Sequence, residues 1–257
     1  MSNYKIDIIP ALSDNYIFIL RCLEANVTAC IDPATSIDVI NYLQEHSLNL
    51  DFILNTHHHH DHIGGNDELK SKYNCKIIGF VGDKHRIPSL DEYVDNADII
   101  RIGKISLQVM TIPGHTDGHI GYHDHDNQYM FLGDTIFGAG CGRVFEGDPE
   151  RLFATIEKIR KLPDETKLFF AHEYTLKNIE FALKYSPSNQ ELLKRQKDTI
   201  ELRNNSYPST PSTIALEKST NPFFRTIDPE IRKSLSKTND EYSVNIFRTL
   251  RKLKDDF

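Results

Sequence analysis

The stretch 56-THHHHDHIGG-65 places five histidines and one aspartate within seven residues. It follows 51-DFILNT-56, an apolar run of the kind that forms a buried strand, so the histidines begin at a strand's carboxyl end. If the backbone stays extended there, side chains alternate: His57 and His59 point one way and His58 the other. Asp61 and His62 follow around the turn, within reach of a second ion, and Gly64-Gly65 lets the chain turn tightly against neighbouring backbone. A histidine-rich surface tract is the competing reading. The two differ in what they expect elsewhere, because a metal site needs further imidazole and carboxylate ligands, which α/β sheets gather at their strand ends.

Such ligands recur. His115 in 113-PGHTDGH-119 follows the expected strand 105–112, Asp134 follows 128–132, and His172 follows 167–170. Around these, short β-branched or aromatic-rich segments predict strands at 4–10, 15–22, 27–32, 76–80, 98–102 and 119–124. Helical spacing predicts helices over 36–46, with Ser36 as N-cap, over 66–73, and over 149–162 with Pro149 at its start. From Tyr174 onward only helical patterns are found, at 175–185, 189–204 and 240–255. They are interrupted by the connector 206-SYPSTPST-213 and a turn at Asn221-Pro222. The expected organisation is a mixed α/β domain over residues 1–173 and a small helical domain over 174–257.

Composition narrows the function classes. A net charge of −7 disfavours a nucleic-acid-binding surface. No apolar run approaches the length of a membrane span, and the start lacks a signal-peptide pattern, so a cytoplasmic protein with no membrane partner is expected. Cys22, Cys30, Cys75 and Cys141 show no C-x-x-C spacing, which predicts reduced buried thiols and neither a disulfide framework nor a cysteine-ligated zinc site. Within this acidic chain the ending 248-RTLRKLKDDF-257 is locally basic, which suits a small anionic ligand.

The H-x-H-x-D-H element, with His115, Asp134 and His172, resembles the metallo-β-lactamase superfamily. Within it the chain is similar to the glyoxalase II (hydroxyacylglutathione hydrolase) family. The likeness is carried by 13-SDNYIFIL-20, 56-THHHHDHIGGN-66, 113-PGHTDGH-119, 133-GDTIFGAGCGR-143, 172-HEYT-175, 221-NPF-223 and the basic end. The resemblance implies an α+β fold: a four-layer αβ/βα metallo-β-lactamase sandwich followed by a small all-helical C-terminal domain. It implies two metal sites, with His57, His59 and His115 on the first ion, Asp61, His62 and His172 on the second, and Asp134 and a hydroxide bridging them. Asp134 and Asp61 are then the catalytic carboxylates, Asp61 helping to orient the water. Imidazole and carboxylate suit two divalent ions, zinc first, with iron or manganese as alternatives. Two such ions against two carboxylates and a hydroxide leave one net positive charge, enough to polarise a carbonyl and stabilise an oxyanion. His58 and His60 are read as packing residues, His119, His123 and His125 stay open, and Asp117 is read as a turn residue or a partner that orients an imidazole.

The metal chemistry alone fits a β-lactam, a lactone, a phosphodiester or a thioester. A nuclease should be basic, a β-lactamase of this class is usually exported, and a redox role lacks a flavin-binding domain. The resemblance points to S-(2-hydroxyacyl)glutathione thioesters, S-D-lactoylglutathione being cleaved to D-lactate and glutathione in methylglyoxal detoxification. It places Arg143, Tyr174, Arg251, Lys254 and Phe145 at the substrate. Phe145 stands where some members have tyrosine, so it packs but donates no hydrogen bond. Arg251 and Lys254 share a helix face at i, i+3; taken without the resemblance, they read as a solvated helix end. A monomer binding a small-molecule glutathione thioester is expected.

Overall fold

A computed structural model describes residues 4–257, which form two compact units. The first takes the described chain up to Ile112 together with Gly118–Gly133; the second takes Pro113–Asp117 and Asp134–Phe257.

In the first unit, a mixed six-stranded sheet runs in chain order through Tyr4–Ala11, Asn15–Cys22, Val27–Ile31, Phe52–Leu54, Lys76–Phe80 and Glu92–Val94. The first three strands pair antiparallel and the rest join in parallel. Alternation along Asn15–Cys22 explains why that strand is apolar on both faces. Ile17 and Ile19 pack with Val39, Ile40 and Leu43 of the helix Ser36–Glu45 and with Leu69 of the helix Asn66–Tyr73. Phe18 faces the other way, its ring 5.4 Å from that of Phe131 in a second, antiparallel set of strands. That set is Ile99–Ile102, Ile105–Thr111, Ile120–Asp124 and Tyr129–Gly133.

In the second unit, Asp148 caps the helix Pro149–Ile159 by accepting from the Arg151 amide, with Pro149 in the first turn as expected. This helix packs on Ser243–Asp255, where the Phe153 and Phe247 rings lie 5.4 Å apart. Helices Thr175–Tyr185, Gln190–Asn204, Ile214–Thr220 and Pro229–Ser234 complete the helical part. A short hairpin joins Ile136–Phe137 to Gly140–Cys141.

Three expectations are corrected. Thr35, not Ser36, occupies the N-cap position, and its hydroxyl bonds the Asp38 carboxylate at 2.5 Å; Ser36 is already helical and bonds Glu68. The region beyond Tyr174 is not purely helical, because Ser212–Thr213 pairs antiparallel with Lys167–Leu168. The helices at 214–220 and 229–234 were not anticipated; each is too short for a clear apolar stripe, although Thr213 and Asp228 cap them by side-chain hydrogen bonds. Among the described residues, no helix is long and apolar enough to cross a membrane.

Candidate metal centre and ligand pocket

The histidine stretch leaves the strand Phe52–Leu54 in extended backbone and turns into the single helical turn His60–Ile63. His57 is buried, and the rings of His59 and His62 lie 4.6 and 4.1 Å from its own. His58 turns away as alternation predicts, placing Nδ1 3.4 Å from the buried carboxylate of Asp83, which also accepts from Arg86. His60 is exposed. The tight turn after His62 needs its two glycines for close approach: a Cβ on Gly64 would sit 2.6 Å from the Ala34 carbonyl oxygen, and one on Gly65 2.8 Å from the Thr35 carbonyl carbon.

That contact seats the stretch on the turn carrying Asp32, which lies directly after the strand Val27–Ile31. Asp32 adopts φ 51°, a left-handed conformation that aspartate tolerates better than most residues. Its Oδ1 accepts the Thr56 amide at 2.7 Å, and its Oδ2 accepts the Thr56 hydroxyl at 2.6 Å and His62 Nδ1 at 3.0 Å. The Thr56 hydroxyl has one hydrogen and gives it to Asp32. Its 3.0 Å contact with His57 Nδ1 is therefore a bond donated by the imidazole. Both histidines therefore donate from Nδ1, which directs Nε2 as the atom that the neutral ring offers to a metal. His62 Nε2 lies 3.6 Å from Asp61 Oδ2, an acceptor facing an acceptor. Asn15 steadies Asp61 with a 3.0 Å bond to that same oxygen. His119 stacks on His57 at 4.6 Å, with its own Nδ1 bonded to the Ile120 carbonyl.

The second unit repeats the pattern. His115 Nδ1 donates to the Arg143 carbonyl at 2.9 Å, which turns Nε2 towards Asp134 Oδ2 at 3.4 Å. His172 Nε2 lies 3.2 Å from the other carboxylate oxygen of Asp134. A carboxylate flanked by neutral imidazole nitrogens is stabilised by a cation between them. The donor set in each unit thus fits divalent metal. Asp117 is an ion-pair partner of Arg151 and so is not arranged as a ligand. Burial together with His125 holds the His123 imidazole down at about 4, so it stays neutral in the core.

A cavity of about 380 Å³ in this unit is lined by His115 and Asp134 at one end and by Arg143, Lys177, Arg251 and Lys254 elsewhere. Phe145, Tyr174 and Cys141 also line it. Tyr174 stacks on His172 with ring centroids 4.9 Å apart, and Phe145 meets His115 edge-on at 5.2 Å. Arg251 is 3 % exposed, and its Nη1 donates to the carbonyls of Cys141 at 2.8 Å and Gly142 at 3.2 Å. Its Nη2 donates to Asp255 at 3.0 Å. Burial raises the Cys141 thiol to about 11, so it is protonated at neutral pH and is no nucleophile.

The ribbon 138–142 that forms this wall is held group by group. Asn178 donates to the Gly138 carbonyl, Glu217 accepts the Ala139 amide, Asn221 donates to the Gly140 carbonyl, and Arg251 takes the next two carbonyls. Glu217 is fully buried and pairs with Arg195 at 2.6 Å, while its second oxygen also accepts from Asn221 at 2.8 Å. Sequence reasoning missed Asp32, Asn15, Asp83 and this Glu217 network. The strand-end rule that selected Asp134 would have selected Asp32 as well; the others leave no local signal.

The family model described as "Metallo-beta-lactamase superfamily" matches residues 25–172, and "Hydroxyacylglutathione hydrolase C-terminus" matches 173–257. Relatives named hydroxyacylglutathione hydrolase include one from Methylococcus capsulatus, 41% identical over 97% of this chain and 97% of the relative. Another, from Rhodospirillum rubrum, is 40% identical over the full length of both. Among solved structures, the chain is similar to ETHE1 from Myxococcus xanthus, with TM-score 0.68, 22% identity, and coverage of 96% and 90%. It is also similar to the BLEG-1 B3 metallo-β-lactamase, with TM-score 0.67, 22% identity, and coverage of 86% and 100%. These structural likenesses establish the metallo-β-lactamase fold.

Proposed function

The chain belongs to the hydroxyacylglutathione hydrolases of the metallo-β-lactamase superfamily, and from that membership we propose that it hydrolyses S-(2-hydroxyacyl)glutathione thioesters. S-D-lactoylglutathione would yield D-lactate and glutathione, the second step of methylglyoxal detoxification. The observation that carries the reading is the shared tautomer of His57, His62 and His115, each giving its Nδ1 proton to a protein oxygen and keeping Nε2 for a metal.

In this reading His57, His59 and His115 would hold one divalent ion, Asp61, His62 and His172 would hold a second, and Asp134 would complete the ligand set. Bound ions, zinc first with iron or manganese as alternatives, would supply Lewis acidity and a nucleophile from water at neutral pH. The chain's own residues do the rest. Asn15 holds Asp61 in place to orient water. Asp32 keeps His62, and through Thr56 also His57, in one tautomer. Tyr174 and Phe145 flank His172 and His115 and present an aromatic wall to the acyl group. Arg143 and Lys254 offer positive charge to the glutathione carboxylates. Arg251 shapes that wall through the Cys141 and Gly142 carbonyls and adds its charge. Residues 1–173 carry the catalytic part and 174–257 the substrate-binding part, in a monomer. The four buried free thiols are in keeping with a reducing cytoplasm.

The test is turnover of S-D-lactoylglutathione, a lactone and a β-lactam, side by side, before and after chelation. Thioester turnover should dominate, disappear with chelator and return with added zinc, iron or manganese. Chelator-resistant hydrolysis, or a preference for either other substrate, refutes the reading.

A further inference from the structure

The ligand cavity carries one cation that neither the motifs nor the family likeness assigned: Lys177. It lies in the first turn of the helix Thr175–Tyr185, exposed, on the same cavity as Lys254. That first turn contains no acidic residue. A lysine there opposes the helix dipole, whose positive end favours carboxylates, so its placement is not explained by helix stability. No described residue forms a hydrogen bond or ion pair with its ammonium group.

The other cations on this cavity are partly committed. Asp255 meets Arg251 at 3.0 Å and Arg143 at 3.7 Å. Lys254 is packed on the rings of Phe181 at 5.3 Å and Phe257 at 4.7 Å. Burial, and then the like charges of Arg251 and Lys177, hold Lys254 down at about 8. Four cations therefore share one cavity, with Asp134 at its far end and Asp255 beside only Arg143 and Arg251, and an anionic ligand would offset the remaining charge. A ligand with one carboxylate would engage only part of this set and leave the exposed Lys177 without a role; glutathione has two.

Resting on the thioester reading above, we propose that Lys177 binds one of the two glutathione carboxylates and sets specificity for the dianionic thiol carrier. Its flexible stem and strongly hydrated ammonium suit a contact made at an exposed part of the cavity wall.

The experiment compares wild type with Lys177→Ala, Lys177→Glu and Lys177→Arg on S-D-lactoylglutathione and on its two mono-amides, in which one or the other carboxylate becomes a carboxamide. Lys177→Ala should raise KM about 3–10-fold with kcat unchanged, the pattern of lost uniform binding, and Lys177→Glu should raise it further. Lys177→Arg should restore most of the affinity. For one mono-amide the Ala variant and wild type should agree within about two-fold, identifying the carboxylate concerned. An unchanged KM, or an equal rise on all three thioesters, overturns the proposal while leaving the hydrolase reading in place. A wild type that does not cleave the parent thioester overturns both.

Discussion

In the first unit, four proposed ligands fall within residues 57–62, and two of them are supported from strand ends of one sheet, Asp61 by Asn15 and His62 by Asp32. In the second unit, His115, Asp134 and His172 come from three separate segments, and the cavity beside them draws on Arg143, Lys177 and Lys254 as well. The first arrangement is specified by a short motif whose alternation divides ligands from packing residues. The second depends on long-range packing, with the buried Arg195–Glu217 pair joining residues far apart in sequence to the ribbon 138–142. The distributed cavity therefore depends on more long-range contacts than the local motif does.

The largest test breaks the long-range side. Glu217→Ala leaves the Arg195 charge buried without its partner and the Ala139 amide without an acceptor, which should cost about 3–5 kcal/mol of stability. Denaturant unfolding measures that loss, and glutathione affinity should fall with it. Retention of full stability and affinity would show that the ribbon holds itself.

The local side is tested next. Asp32→Asn removes the acceptor charge that holds His62 and Thr56, and it should lower metal affinity or activity about 10–100-fold while the fold persists. Metal content by elemental analysis, with kcat/KM, reads this directly. An effect below two-fold, on the order of measurement scatter, would mean the motif needs no support from the preceding strand end.

The smallest effect lies in the cavity's charge. Lys254 is held at about 8 against its ordinary 10.5, chiefly by burial and then by Arg251 and Lys177. Between these values the unfolded chain binds the proton and the folded chain does not, so stability contributed by this group rises with pH across that window. Affinity for an anionic ligand moves the opposite way, because the ammonium is lost above about 8. KM should rise a few-fold on the alkaline side, and Lys254→Arg, which stays charged, should flatten the rise. A pH profile identical in the two proteins would assign the change to another group.

Particular residues show what was legible in sequence. The opposite facing of His57 and His58 could be read from strand-end position and alternation, because a strand's period is a local property. His58 could be set aside for the same reason, and it turns to Asp83. Lys177 was invisible, because a lysine in a helical pattern reads as a solvated face. Arg251 was read as a substrate contact from likeness alone, yet its Nη1 is occupied with the Cys141 and Gly142 carbonyls, which no spacing announces.

The amino-acid sequence by itself determined the alternation of strands and helices, the ligand types and the family, since these follow from short-range periodicity and from motifs of invariant chemistry. Only the tertiary structure decided which nitrogen of each histidine carries the proton, because that depends on the oxygen opposite Nδ1: Asp32, Thr56 or the Arg143 carbonyl. It also decided that Lys177, Lys254 and Arg143 share one cavity, because electrostatic partnership is set by distance in space, across segments more than a hundred residues apart in the chain.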